Sequence, residues 1–172
     1  MMDDAARNAI AEGLKKAIQA ETDGYHFYRM TAANTEDPQG RVVFDGLAEE
    51  ELEHRRYLEK QYDKFLADGT FDTSLKLTLH VDLSGDSPIF SNALRERAKA
   101  PQFEMSALSI AVQLELNAVR HYQEQARIAT EPSVVAFYET LIEWEKNHYE
   151  GLSRQQETLR EMNWADAGFS PF

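Results

Sequence analysis

LAEEELEH, at residues 47–54, returns 94 positions later as LIEWEKNH, at residues 141–148. The segments upstream match at the same offset, because AIQAETDGYHFYRMTAANTEDP (17–38) aligns without a gap with AVQLELNAVRHYQEQARIATEP (111–132). The chain is therefore a duplication of one unit with two parts. Identities at matching positions include Glu21/Glu115, Tyr28/Tyr122, Pro38/Pro132, Glu51/Glu145 and His54/His148.

Each unit has the hydrophobic periodicity of two amphipathic helices. In the first unit, apolar or small residues recur at helical spacing over 10–28 and again over 43–65. Between these stretches, Asp37 is a suitable N-cap and Pro38 a suitable first residue of the next helix, which predicts a turn there. Pro132 marks the corresponding turn of the second unit.

These patterns predict an all-α four-helix bundle built from two helical hairpins. The hairpins are expected over about 5–68 and 102–162, within one domain of residues 1–172. Gly69 is expected to end the second helix. The connection over about 69–101 is too long for a hairpin loop, so it favours a crossover between helices 2 and 3.

One part of the connection, SLKLTLHVDL (74–83), alternates apolar and polar residues as a half-exposed strand does. We expect it to pair with a second copy, or to lie along the interface of a homodimer. Replacing Leu77 and Leu79 with Asp should then shift the particle toward monomer. The tail after Met162 is expected to be irregular.

Composition excludes several classes of function. The 172 residues carry a formal charge of −12 and no cysteine, so the sequence predicts no nucleic-acid partner and excludes disulfides and thiolate metal sites. No stretch approaches the run of about 18 apolar residues that a membrane span needs, and the acidic N-terminus lacks a secretory signal. We therefore expect a cytoplasmic protein that does not associate with a membrane.

Ionisable residues occupy the apolar stripes of all four predicted helices. One helix of each unit carries a single Glu there, and the other carries Glu-x-x-His. In each unit the two carboxylates are equally distant from the predicted turn, so antiparallel packing should bring all the groups into one layer. The six residues are Glu21, Glu51, His54, Glu115, Glu145 and His148.

Four carboxylates in one buried layer cost several kcal/mol per ion unless positive charge compensates. Two divalent cations would balance a charge of −4, and carboxylates with one imidazole per ion suit iron or manganese. The spacing is also that of di-iron carboxylate bundles. We therefore predict two iron ions, with manganese or a mixed pair as the alternative. The competing interpretation is a buried polar layer that protonates and hydrogen-bonds internally.

Tyr28 and Tyr122 lie two helical turns after Glu21 and Glu115. Either they are core aromatics with a bonded hydroxyl, or each donates a hydrogen bond to a ligand carboxylate of the opposite unit. In the second case they are candidate catalytic residues, because their protons lie beside the metal pair.

Other polar residues are interpreted as lying outside the site. Asp23 and Asn117 are expected to be solvated or capping residues. The remaining acids of the Glu-x-x-His helices are expected to form a solvated stripe, and the unrepeated histidines to lie at the surface. These two groups are Glu49, Glu50, Glu53 and Glu143, and His26, His80 and His121.

With these motifs the chain resembles the rubrerythrin-like branch of the ferritin-like di-iron proteins. The resemblance covers both hairpins and rests on Glu21, LAEEELEH (47–54), LELNAVRHY (114–122) and IEWEKNH (142–148). It implies a ferritin-like crossover bundle, often dimeric, that reacts with hydrogen peroxide or dioxygen. It also implies that the six residues above are the metal ligands, with the second Glu of each unit bridging the ions.

Two features differ from the rubrerythrin pattern. The sequence has no cysteine for a rubredoxin module, so we expect an external electron donor protein. Where rubrerythrins have an additional glutamate one turn after the first ligand of the third helix, this chain has Ala118. The leading hypothesis is a di-iron peroxidase or oxidase. The alternatives are a ferroxidase that stores or delivers iron, and a di-iron oxygenase acting on an organic substrate.

Overall fold

Four long helices contain most of the residues that the computed structural model describes, which are 4–72, 74, 81–83, 88–91, 94 and 102–166, with side chains described up to 161. They are α1 (Asp4–Asn34), α2 (Pro38–Asp68), α3 (Gln102–Ile128) and α4 (Pro132–Asp166). The described residues contain no strand. The predicted all-α four-helix bundle is confirmed.

The ends of α2 have the capping chemistry that the sequence predicts. Asp37 is the N-cap, and its side chain accepts a hydrogen bond of 2.8 Å from the backbone N–H of Gly40. Pro38 occupies the first turn, where no intrahelical partner for its nitrogen is needed. Gly69 has φ 76°, and its N–H donates to the carbonyl of Phe65 at 2.9 Å. Since a side chain at that φ is strained, glycine ends the helix there.

The helices pair as two hairpins. α1 packs along the length of α2, and α3 along the length of α4, whereas α1 and α3 approach each other more sparsely. The short turns at 35–37 and 129–131 force this antiparallel pairing. Both turns fall where the sequence predicts them.

Two apolar clusters fill the bundle, one on each side of its middle. The first contains Tyr28, Phe44, Leu47, Leu108 and Leu152, together with Phe90 from the connection. The second cluster contains Leu14, Leu58, Phe65, Tyr122, Tyr138 and Leu141. The polar groups that share these helix faces therefore lie between two apolar layers that exclude water from them.

The connection between the hairpins packs against α2 and α4 at two glycines. A Cβ on Gly46 would lie 2.5 Å from Cγ2 of Val81, and a Cβ on Gly151 would lie 2.4 Å from Cβ of Leu83. Both distances are too short for a side chain, so the missing Cβ atoms make room for residues 81–83. We call residues 81–83 the strap.

The strand prediction for 74–83 falls largely outside the described residues, as do Leu77 and Leu79. The strap itself has no strand conformation. Pairing of this segment with a second copy stays a prediction.

The prediction of an irregular tail after Met162 is wrong for its first residues, because α4 continues to Asp166. Asn163–Asp166 contains no proline or glycine, so nothing in it stops the helix. None of the described helices is both long enough and apolar enough to cross a membrane.

Candidate metal centre

The six predicted ligands meet in one buried layer between the two apolar clusters. None of the six residues is more than 3% exposed. Each helix contributes at the level that equal distance from the turn requires: α1 and α3 provide one carboxylate each, and α2 and α4 provide a carboxylate and an imidazole each. The structure thus brings together all six residues, and their binding of metal stays a prediction.

The six side chains form two triads, each with the geometry of a cation site. One triad is Glu21, His54 and Glu145, and the other is Glu51, Glu115 and His148. Within each triad, one ligand atom from each residue lies within 4.8 Å of the others. Each triad takes two residues from one hairpin and the third from the other hairpin. Metal in either triad would therefore tie the two hairpins together.

The imidazoles face the carboxylates with their Nδ1 atoms. Nδ1 of His54 lies 3.5 Å from Oε2 of Glu21 and 3.5 Å from Oε1 of Glu145. Nδ1 of His148 lies 3.8 Å from Oε2 of Glu115. The two imidazole rings are stacked, with centroids 5.7 Å apart. The two triads therefore lie side by side in the layer.

The electrostatics of the layer favour the presence of cations. Burial and the neighbouring Glu21 and Glu115 raise the pKa of Glu51 well above its usual range. Burial and Glu21 likewise raise the pKa of Glu145 to about 8. Burial alone would lower the pKa of His54, but the nearby carboxylates of Glu145 and Glu21 favour its charged form and raise the pKa to about 10. Without metal, the layer thus holds protons to offset its negative charge.

Several ligand atoms lack hydrogen-bond partners in the described part of the chain. They are Nδ1 of His54, Oε1 of Glu145 and Nδ1 of His148, and all three are buried. A buried polar atom without a partner costs about 1–3 kcal/mol. These atoms are among those that face the centre of the layer, where lone pairs on carboxylate oxygen and imidazole nitrogen suit a divalent iron or manganese ion. The residues therefore fit the metal pair that the sequence predicts.

Both tyrosines donate hydrogen bonds across the bundle. The hydroxyl of Tyr122 donates to Oε1 of Glu21 at 2.6 Å, and the hydroxyl of Tyr28 donates to Oε1 of Glu115. Of the two sequence interpretations, the structure shows the donor to the opposite hairpin. Burial and the adjacent carboxylates raise the pKa of both phenols, so both keep their protons.

The expectation that Glu50 lies in a solvated stripe is wrong. Its side chain is 0% exposed, and its Oε2 lies 2.6 Å from Nε2 of His148. Its Oε1 accepts a hydrogen bond of 2.6 Å from the backbone N–H of Val81 in the strap. The duplication hides this role, since the matching residue is Trp144. The helical spacing of three from Leu47 and four to His54 is the signal that could have found it.

The other polar residues, apart from Glu53, are placed as expected. Asp23 and Asn117 are exposed and accept hydrogen bonds from Gln19 and Gln113, one turn earlier on their own helices. Glu49, Glu143 and His26 are exposed, and Glu53 is half-buried.

The remaining histidines need one correction. His121 is part-buried rather than a surface residue, and its Nε2 lies 3.1 Å from the carbonyl oxygen of Gly13. His80 lies outside the described residues.

A cavity of about 220 Å³ opens between α1 and α3 onto the ligand layer. Small residues line its wall at Gly24 and at the matching position, Ala118. The lining residues are Ala20, Glu21, Asp23, Gly24, Tyr28, Glu51, Leu114, Glu115, Asn117, Ala118, His121 and Glu145.

Comparison with known proteins identifies one family. The family model for rubrerythrin matches residues 12–156, which is most of the chain and includes all six ligand candidates and both tyrosines. No curated protein and no solved structure matches the chain.

Proposed function

Because this chain belongs to the rubrerythrin family, we propose that it is a non-haem di-iron oxidoreductase that reacts with hydrogen peroxide or dioxygen. The observation that carries the proposal is the buried layer of four carboxylates and two imidazoles, arranged as two triads. The Glu21–His54–Glu145 triad would hold one ion and the Glu51–Glu115–His148 triad the other. When bound, the ferrous pair supplies two electrons for reduction of an O–O bond.

The protein's contribution begins with a site that excludes bulk water. Both apolar clusters close the layer along the bundle axis, so a small molecule reaches the ligands sideways, through the cavity between α1 and α3. In such a low-dielectric site, interactions with developing charge are stronger than in water. Asp23, Asn117 and His121 give the cavity a polar lining that a small polar oxidant can cross.

Reduction of peroxide to water also consumes two protons. The hydroxyls of Tyr28 and Tyr122 each hold a proton within hydrogen-bonding distance of a ligand carboxylate. Tyr28 also lines the cavity, so its proton is next to the incoming molecule. We assign Tyr28 and Tyr122 the role of proton donors, working through Glu115 and Glu21.

Re-reduction needs a source of electrons outside this sequence. With no cysteine among the 172 residues, the chain offers no thiolate-ligated iron centre of its own. We propose that a separate electron donor protein docks on the bundle and reduces the pair after each turnover. Homodimer formation and a cytoplasmic location stay predictions from the sequence.

The direct test is oxidant consumption by ferrous-loaded protein. Metal-free protein is loaded anaerobically with two equivalents of Fe²⁺ and mixed in a stopped-flow instrument with peroxide or with dioxygen. We expect consumption faster than by the same concentration of free Fe²⁺, and loss of that difference in Glu115→Ala. Glu143→Gln, an exposed site, should behave as the wild type. If neither oxidant is consumed faster than by free iron, the proposal is wrong.

A second candidate function, oxygenation of an organic substrate, is favoured by the size of the cavity. At about 220 Å³ it is several times the roughly 30 Å³ that one water molecule occupies in the liquid. Leu114 and Ala118 give it apolar lining as well. Incubating the reduced protein with ¹⁸O₂ and a panel of small aromatic and aliphatic compounds would show labelled product by mass spectrometry. If dioxygen is consumed and no compound becomes labelled, the oxidase function is favoured.

A further inference from the structure

The duplication breaks down beside the ligand layer, and it does so at three matched pairs of positions. Glu50 corresponds to Trp144, Gly46 to Thr140, and Gly151 to Tyr57. Glu50, Gly46 and Gly151 all lie next to the strap. The two glycines make room for residues 81–83, and the Val81 N–H donates a hydrogen bond to Glu50. Trp144 and Tyr57 pack against each other, with ring centroids 5.3 Å apart. The two imidazole ligands therefore have different surroundings.

The imidazole of His148 contacts the carboxylate of Glu50, which is not one of the six ligand candidates. Its Nδ1 faces Glu115 of its own triad, while its Nε2 lies 2.6 Å from Oε2 of Glu50. A proton on Nε2 makes this contact a hydrogen bond and leaves the Nδ1 lone pair free for a cation. A carboxylate at the outer nitrogen orients the ring and makes the ligating nitrogen more basic. Glu50 cannot swing away easily, because its other oxygen accepts from the backbone of Val81.

His54 has no equivalent support. Its Nδ1 faces Glu21 and Glu145, but its buried Nε2 has no hydrogen-bond partner in the described part of the chain. Its ring stacks instead on Trp144, with centroids 5.8 Å apart and an angle of 24° between the planes. An indole ring restricts the imidazole by packing, and it places no carboxylate at the outer nitrogen. Of the matched pair of positions, only Glu50 has the chemistry to strengthen a metal–imidazole bond.

We infer that Glu50 is a positioning residue that makes the two metal positions unequal. The Glu51–Glu115–His148 triad binds its divalent cation more tightly and fills first, and the Glu21–His54–Glu145 triad fills second. This inference rests on the metal-binding part of the proposed function and needs no reaction with an oxidant. It also gives the connection between the hairpins a role at the site, because the strap holds the carboxylate that orients His148.

The test is isothermal titration calorimetry, in which Co²⁺ alone is added to metal-free, full-length protein. We expect two binding steps of different affinity in the wild type. Glu50→Gln keeps the size of the side chain and removes its charge, and it should weaken the first step by about 10- to 100-fold, the usual effect of losing such a partner. Glu49→Gln, at the exposed neighbouring position, should leave both steps unchanged. Equal wild-type steps, or a first step unaltered in Glu50→Gln, would overturn the inference.

A spectroscopic measurement separates orientation of His148 from general loss of structure. In Zn²⁺-loaded protein with ¹⁵N-labelled histidine, the Nε2 proton of His148 should be strongly deshielded by Glu50. That signal should move upfield in Glu50→Gln and stay in place in Glu49→Gln. If Glu50→Gln does not fold, Glu50→Asp and Glu50→Ala replace it. Glu50→Asp keeps the charge on a shorter side chain, so it should weaken the first binding step less than Glu50→Ala. A His148 proton signal that no Glu50 variant moves would contradict the role assigned to Glu50.

Failure of this inference is distinguishable from failure of the proposed function. Unequal cation binding without oxidant consumption would leave the role of Glu50 intact and refute the oxidoreductase. Oxidant consumption by a protein with two equal sites would support the oxidoreductase and refute the role of Glu50.

Discussion

Two phenol hydroxyls connect the hairpins through the ligand layer. Tyr28 of α1 donates to Glu115 of α3, and Tyr122 of α3 donates to Glu21 of α1. Each bond satisfies a buried carboxylate oxygen, as a dry interior requires. The same two side chains therefore contribute to stability and hold the protons that the proposed chemistry consumes.

We expect Tyr122→Phe to lower both stability and activity. Removing a hydrogen bond to a charged group should cost about 1–3 kcal/mol of unfolding free energy. Loss of a positioned proton donor should slow peroxide consumption by about 10²-fold or more. Urea unfolding of metal-free protein and stopped-flow peroxide assays measure the two effects separately.

Tyr138→Phe is the matched control for that substitution. Tyr138 is equally buried, but its hydroxyl has no hydrogen-bond partner in the described residues. Removing that hydroxyl should leave stability unchanged or slightly increased, and activity unchanged. Equal losses in Tyr122→Phe and Tyr138→Phe would show that the bond to Glu21 has no special importance.

Access to the site depends on small residues in the cavity wall. Ala118→Leu should fill much of the space between α1 and α3 without adding charge. We expect slower reaction with a bulky oxidant such as tert-butyl hydroperoxide, a smaller effect with hydrogen peroxide, and unchanged binding of two Co²⁺ ions. An equal effect on both oxidants would place the access route elsewhere.

Among the connections between elements, the start of α2 shows how local chemistry is reused. Asp37 caps the helix at Gly40 and also accepts hydrogen bonds from the hydroxyl and the backbone N–H of Ser91 in the connection. The cap was predictable from Asp37–Pro38 alone, because its partners are local. The bonds to Ser91 were not, because they join residues 54 positions apart. Sequence patterns describe helix ends well and long-range contacts of a connection poorly.

Asp37→Ala should destabilise the protein by about 1–2 kcal/mol through loss of the cap alone. Burial opposes ionisation of Asp37, but hydrogen bonds from Ser91 and the Gly40 N–H outweigh it and lower its pKa. The unfolded chain therefore binds this proton more readily than the folded protein. The stability from the carboxylate is present above the ordinary aspartate pKa and is lost as pH falls through the lowered folded value.

Urea unfolding at pH 7 and at about pH 3 measures this effect. The stability difference between wild type and Asp37→Asn should shrink in acid, since Asn keeps the cap and removes the titrating proton. A difference that does not change with pH would show that the charge of Asp37 contributes nothing.

In the whole molecule, the ligand layer is the part of the bundle that opposes folding without metal. Two divalent ions should raise unfolding free energy by about 2.7 kcal/mol each when free metal is at a hundred times its dissociation constant. Differential scanning calorimetry with and without Fe²⁺ or Mn²⁺ would show this as a higher Tm. Glu51→Gln should reduce the increase, and an unchanged wild-type Tm would mean that the layer does not bind metal.

The internal repeat made the bundle and its polar layer predictable. A duplicated Glu and Glu-x-x-His on apolar stripes leaves few ways to bury the chain, and the six side chains meet where helix geometry requires. The role of Glu50 was not predictable from the repeat, because the repeat marks only residues that both halves share and the counterpart of Glu50 is Trp144. The position of the strap was not predictable either, because it depends on the absence of Cβ atoms at Gly46 and Gly151. Both are departures from symmetry.

The seat that Gly46 and Gly151 provide for residues 81–83 limits how this scaffold can be redesigned. A version in which an artificial linker replaces the connection would keep every ligand and the second apolar cluster, but the first cluster would lose Leu83, Ile89, Phe90 and Leu94. It would also lose the Val81 N–H that anchors Glu50, and with it the difference in cation affinity between the two triads. Engineers who wish to trim this protein should therefore graft residues 81–83 along with the helices.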